Sequence, residues 1–389
     1  MEVKGHKLLL LIGTAWLFDA LDVALLSFIM PAIKTSWHLS ANQLGLVGSI
    51  TSLGMFVGAI VFGHLADQIG RKPIMLVTLL LFSIGNLLLA LAPNVMWFII
   101  IRFVTGLGLG GELPVATTII ADHFKGSQRS RMLVLVDSFW AFGWILAAVL
   151  AFSVMTRIGW RWTVLLTALM GVYTILMRRH LPETHTAAAS KYDFKAAWRQ
   201  VWSLPYWRTT LGLGVLWFVI MLVYYGMFLW LPTVLMNRGF PVVKGYGYTV
   251  LMSIAQLPGY YLAAWLVGRW SRKRVLMGYL VGTLISAVAF GLANSNAVIL
   301  ISGAWLSFFT LGAWGIMIAF TPGHYPLAIR GMGIGVTQSM GRLGAIGGPY
   351  LVGYLLGSGW KIPMIFSIFA GALILGIVVL AWGMTDQDN

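Results

Sequence analysis

Arg342 lies near the middle of an apolar stretch running from about Gly331 to Leu356, and no carboxylate side chain occurs between Asp193 and Asp386. A guanidinium keeps its charge at any ordinary pH, so it must face water, carbonyl oxygens or an anion brought from outside. Its planar fork of N–H groups holds a carboxylate through two parallel hydrogen bonds. Gln338 sits one helical turn away on the same face. Together they suit the reception of a small organic acid. The competing use of Arg342 is to bond carbonyls freed by Gly341, Gly344, Gly347 and Gly348.

A flat acid also needs a flat, mostly apolar slot. Trp217, Tyr224, Tyr225, Tyr260 and Trp314 in the second half, and Trp140 and Trp144 in the first, can supply stacking surfaces and a few donors. Gln256 shares a face with Tyr260 at i,i+4. Any one of these rings can equally be packing or part of an interfacial aromatic belt.

The acids set among apolar residues all fall in the first half: Asp19, Asp22, Glu112 and Asp137. Arg102 is the one cation inside an apolar stretch there. Burial raises a carboxyl pKa and a nearby Arg lowers it, so an acid that meets both environments in one cycle can load and release a proton. Asp19 and Asp22, three apart, share a helix face from which either can pair with Arg102. A purely structural bridge uses the same residues.

The elements that position these residues follow from composition. The chain has 389 residues, 59% hydrophobic and 10% charged, with 18 Trp and 21 Phe, and is far more apolar than a water-soluble domain. A helix needs roughly 20 mainly apolar residues to cross a bilayer. Twelve such stretches begin near Leu8, Gln43, Pro73, Met96, Met132, Trp160, Thr210, Gly247, Val275, Ala297, Gly331 and Lys361. The expectation is an all-α membrane protein of twelve transmembrane helices, with no room for a soluble catalytic domain. The first stretch carries Asp19 and Asp22 and reads as a retained helix, not a cleaved leader.

The net charge of +15 comes from basic residues dispersed through short loops, which excludes a nucleic-acid surface and fits the positive-inside rule. With the N-terminus inside, eighteen of the 26 Lys and Arg fall on inward segments and six on outward ones. Both termini are therefore placed in the cytoplasm. The longest polar interruption divides the chain into six-helix bundles at 1–180 and 210–389 joined by a cytoplasmic linker at 181–209. That layout suits two bundles rocking about a site near the membrane midplane. Cysteine is absent and the histidines are isolated, so neither a thiolate nor a His-cluster metal site is available. The glycine run Gly106 to Gly111 lacks the preceding strand of a phosphate-binding loop and reads as a helix-packing surface.

The loop Gly63 to Lys72, GHLADQIGRK, resembles the G-x-L-A-D-x-x-G-R-K motif of the major facilitator superfamily. Asp67 and Arg71 can make a charge-assisted contact there that breaks as bundles separate, with Lys72 alongside. The equivalent second-half loop, Gly268 to Arg274, lacks the Asp. Further stretches are similar to the bacterial niacin transporters, a branch related to synaptic vesicle protein 2 and the organic ion transporters. They include Trp16 to Asp22, Arg102 to Ala116, Asp137 to Trp144, Tyr224 to Pro232, Ala255 to Tyr260, Ser307 to Gly315 and Tyr325 to Arg330.

The resemblance implies a multi-pass protein of the cell membrane that imports nicotinate or a similar aromatic monocarboxylate by alternating access, coupled to protons; a monomer is expected. No cofactor and no enzymatic activity are implied; protons, the acid and membrane lipid are the partners. It also implies that Arg330 helps close an inward gate. Two departures stand out: Gly323 replaces a usual Glu near that gate, and Asp137 replaces a usual Glu. The rival functions are efflux of organic cations or drugs, kept open by Asp22 and Glu112, and a non-transporting receptor or scaffold.

Overall fold

Long apolar runs with little turn chemistry fold as helices in lipid, because a helix satisfies every backbone N–H and C=O within its own segment. The computed structural model describes residues 5–69, 71–123, 126–168, 194–326 and 328–384, and every regular element among them is helical. In chain order these are α1 (Gly5–Ser36), α2 (Ala41–Ile69), α3 (Arg71–Ala90), α4 (Val95–His123) and α5 (Gly126–Leu150). Helix α5 runs on through a π-helical turn at Ala151–Met155, and α6 is described over 160–168. The second half contains α7 (Phe194–Val201), α8 (Trp207–Phe228), α9 (Leu231–Asn237), α10 (Val242–Ile254) and α11 (Gln256–Val267). It ends with α12 (Arg272–Leu292), α13 (Asn296–Phe320), α14 (Arg330–Gly357) and α15 (Ile362–Gly383).

Eight stretches among the described residues are long and apolar enough to cross a membrane. Helix α14 is long enough at 28 residues, roughly 1.5 Å each, but Gln338, Ser339, Arg342 and its glycines make it less apolar than those eight. Proline accounts for two breaks that periodicity hides. Pro258, lacking an N–H, lies just inside α11 and separates it from α10, while Pro232 lies at the start of α9, just after α8 ends. Large exposed apolar side chains such as Leu91, Ile285, Trp305 and Trp382 cover the exterior, as a lipid-facing surface requires.

Two compact units emerge. One contains Met1–Ser190 with Leu235–Val250, and the other Lys191–Val234 with Leu251–Asn389. In the first, Tyr246 donates from its hydroxyl to Phe28 O at 2.8 Å. Its helices pack through glycine: a Cβ on Gly106 or Gly110 would strike the backbone of Thr51 or Met55 on α2, and one on Gly108 would lie 2.5 Å from Thr78 O on α3. Such backbone approach replaces the hydrophobic drive that lipid cannot supply. Arg161 closes one end of this unit by donating to Ala90 O and Ala92 O at 2.9 and 2.8 Å, its guanidinium 4.5 Å from the Trp160 ring centroid.

In the second unit α8 and α14 pack in the same way. A Cβ on Gly344 would meet Phe218 O, and one on Gly348 would lie 2.6 Å from Leu222 O. This close contact brings the middle of α14 against the aromatic middle of α8.

Candidate functional site

Arg342 is half-buried on α14 in the second unit. The helix is unbroken from Arg330 to Gly357, and the glycines around Arg342 face α8 rather than loosening the helical ladder. The guanidinium lies within electrostatic reach of the Tyr225 hydroxyl on α8, which is buried and has no hydrogen-bond partner of standard geometry among the described residues. Gln338, one turn earlier, is also half-buried.

An aromatic cluster adjoins them. Trp314 on α13 meets Trp217 edge-on at 5.5 Å, Tyr224 at 5.4 Å and Tyr225 at 6.4 Å between ring centroids. Tyr224 and Tyr225 contact each other at 5.2 Å. Trp217 is locked in place, since its indole N–H donates to Thr321 Oγ1 at 3.0 Å and that hydroxyl donates to Met317 O at 2.8 Å. Trp314 is half-exposed, whereas Trp217, Tyr224 and Tyr225 are almost wholly buried. Of this cluster, Trp314 is therefore the ring with most face to offer a ligand.

Helix α11 adds a polar edge. Tyr260 packs on α13, where a Cβ on Gly315 would lie 2.9 Å from its ring. Gln256 is fully buried, and both atoms of its amide lack hydrogen-bond partners among the described residues, as do the hydroxyls of Ser307 and Thr310 on α13. Buried polar groups in native proteins are nearly always satisfied, so this α11–α13 seam is suited to water or ligand atoms. The sequence reading passed over Thr321, Ser307 and Thr310; Ser307 and Thr310 share a helix face three residues apart, which is the signal that could have found them.

Trp140 and Trp144 belong to the first unit, on α5. Trp140 packs on Trp16 of α1 at 5.1 Å, and Trp144 is fully buried. In the same unit Arg102 donates from Nη1 to Asp22 Oδ2 at 2.8 Å, both side chains shielded from solvent. The Phe98 ring lies 5.7 Å from the guanidinium, and Arg102 Nε and Nη2 have no hydrogen-bond partner among the described residues. One carboxylate thus answers only part of the Arg102 fork. Asp19 and Asp137 are also buried. The side chains of Glu112, Asp67, Arg71 and Lys72 lie outside the described residues.

At the far end of α14, Arg330 donates from Nε to Tyr325 O at 3.2 Å, and Tyr325 donates to Thr210 Oγ1 at 2.9 Å. Arg272 bonds Ala319 O at 3.2 Å, and its Nη1 would lie 3.5 Å from a Cβ placed on Gly323. Among the described residues, the cation that a side chain at position 323 would meet is thus Arg272.

The Major Facilitator Superfamily matches residues 12–259 and 244–388. A putative niacin/nicotinamide transporter of Bacillus subtilis is 44% identical over 97% of this chain and 95% of its own. A niacin transporter of Acinetobacter baylyi is 36% identical, covering 99% and 95%. A gallate transporter of Pseudomonas putida is 29% identical, covering 92% and 88%. Among solved structures, the inward open xylose transporter of E. coli superposes with a TM-score of 0.81 at 16% identity, covering 98% of this chain and 96% of that one. The chain is a multi-pass membrane protein of the Major Facilitator Superfamily and, within it, belongs to the family that contains these bacterial niacin transporters.

Proposed function

We propose that this protein is a secondary transporter that imports nicotinate, or a closely similar aromatic monocarboxylate, by alternating access coupled to protons. The observation that carries the reading is Arg342, beside the buried Tyr225 hydroxyl, in a unit whose described residues include no carboxylate side chain. The substrate carboxylate would take the guanidinium fork, and its ring would lie against Trp314 with Tyr224, Tyr225 and Trp217 behind it. Gln256 and Tyr260 would face the rest of the ring, with Gln338 beside the carboxylate. The relatives named for niacin and for gallate have cargoes with a ring-borne carboxylate, which supports the same recognition, while the one named for niacin and nicotinamide adds an amide that the test below must separate from the acid. A cation-efflux role would have to hold its cation on the acids of the first half, away from Arg342 and the aromatic cluster, and a scaffold would gain nothing from the desolvation of Arg342 and Arg102.

Proton coupling is assigned to the Asp22–Arg102 pair, with Asp19, Asp137 and Glu112 as further candidate carriers. An Asp protonated in one state would release Arg102, and re-ionised in another would recapture it. Gating is assigned to Asp67, Arg71 and Lys72 in the first bundle and Arg330 in the second. The two bundles at 1–180 and 210–389 would move about the linker at 181–209, with both termini in the cytoplasm.

The test is uptake of labelled nicotinate into proteoliposomes with and without an inward proton gradient. Arg342→Ala is expected to lower uptake about 10- to 100-fold, the value of a charge-assisted hydrogen bond or two, and Arg342→Lys to restore only part of it. Normal nicotinate uptake by Arg342→Ala, or a wild-type preference for nicotinamide, would overturn the assignment.

A further inference from the structure

We propose that the α7 end of the second unit is a docking surface for anionic phospholipid, seating α7 and the turn after it in the adjoining leaflet. The inference is independent of the transported substrate. Helix α7 buries Ala197 and Val201 toward its own unit, and Thr210 donates to Val201 O at 3.0 Å. Its other side faces out: Trp198 is 46% exposed and Trp202 38%, their rings 6.2 Å apart, and Leu204 in the following turn is 89% exposed. Water is a poor neighbour for two adjacent indoles and a leucine, whereas the headgroup boundary of a bilayer suits them.

Basic residues surround this apolar face. Lys195, Arg199, Arg208 and Arg269 are exposed, with Arg272 and Arg330 partly so. Arg208 sits 5.4 Å from the Trp207 ring centroid and Arg269 4.1 Å from that of Trp265, which presents each guanidinium at the aromatic boundary. They share one end of the unit. Tyr206 contacts Tyr325, Tyr325 bonds Thr210, and Arg330 bonds Tyr325 O, while Arg272 lies beside Gly323 two residues from that same Tyr325.

Among the described residues of this unit, 194–234 and 251–384, there is no carboxylate side chain to neutralise this charge. Topology requires only an excess of Lys and Arg over the opposite side. A basic face with no acid among its described residues, joined to exposed indoles, combines the two signals that hold a segment on an anionic membrane: apolar insertion and a polybasic patch. The occupant is therefore a phosphodiester headgroup with its acyl chains attached.

The experiment is native mass spectrometry of the intact protein with phosphatidylglycerol or phosphatidylcholine, alongside thermal unfolding with each lipid. Wild type is expected to retain phosphatidylglycerol in preference and to unfold at higher temperature with it. Removing exposed charge in Lys195→Gln/Arg199→Gln/Arg208→Gln should cut that preference at least about fivefold, the effect of one basic residue near an anionic surface. If the triple variant fails to fold, Lys195→Gln/Arg199→Gln, confined to solvent-facing positions of α7, gives the same reading with a smaller change. Trp198→Ser/Leu204→Ser should lower retention of both lipids while leaving the preference between them. Equal retention of the two lipids by wild type, or an unchanged preference in the charge variants, overturns the proposal. Glycerol phosphate or inorganic phosphate raising the unfolding temperature as much as phosphatidylglycerol does would assign the surface to a free anion and equally overturn it.

Discussion

The two arginines within the helical spans have different surroundings. Arg102 has its carboxylate, Asp22, at 2.8 Å, whereas Arg342 lies beside the Tyr225 hydroxyl in a unit whose described residues include no carboxylate side chain. Removing one partner of a buried pair costs about 3–5 kcal/mol because the other charge is left without its counter-ion. Asp22→Asn is therefore expected to lower the unfolding temperature as well as to abolish gradient-driven accumulation. The double change Asp22→Asn/Arg102→Gln should recover the stability without recovering the accumulation. Accumulation by the double variant equal to wild type would remove this pair from proton coupling. The sequence named both Asp19 and Asp22 as partners for Arg102, since residues three apart share a face. Choosing Asp22 required the helix rotation and the depth of α4 against α1, which no local pattern encodes.

Glycine placement decides which helices touch. The contacts of α2 with α4, and of α8 with α14, form where a Cβ would meet a neighbour's backbone. Gly344→Val should therefore force α14 off α8 and cost about 1–3 kcal/mol, read as a lower unfolding temperature in detergent, with a larger loss of nicotinate uptake because Arg342 shifts with its helix. Gly331→Ala, where an added Cβ meets nothing within 4 Å, is the control expected to leave stability unchanged. Apolar run length was enough to read most spans, and the Gly106 to Gly111 run was legible as packing. The π-helical turn after α5 was not, because a one-residue excess in a helical turn leaves no trace in hydropathy. The separation of α10 from α11 was signalled by Pro258, but the apolar stretch runs straight through it and masks the break.

At the scale of the molecule, the family and the helical membrane fold were readable from composition, loop charge and the GHLADQIGRK loop. The aromatic cluster was readable only as a set of candidates. Trp217, Tyr224, Tyr225 and Trp314 converge because α8 and α13 lie side by side, and that contact belongs to tertiary packing. Trp140 shares their residue type but lies on α5 of the other unit, where it packs on Trp16. The absence of acids from residues 194 to 384 also has a consequence for solution behaviour. Such a half behaves like an anion-exchange medium: something negative must balance it, and every small anion in the buffer is a competitor. Benzoate and acetate should slow nicotinate uptake competitively, raising KM without changing the maximal rate, whereas gluconate, too bulky for a slot shaped to a flat ring, should leave KM unchanged. Measuring initial uptake at matched ionic strength in the three salts separates occupancy of the site from general screening, which would affect all three alike.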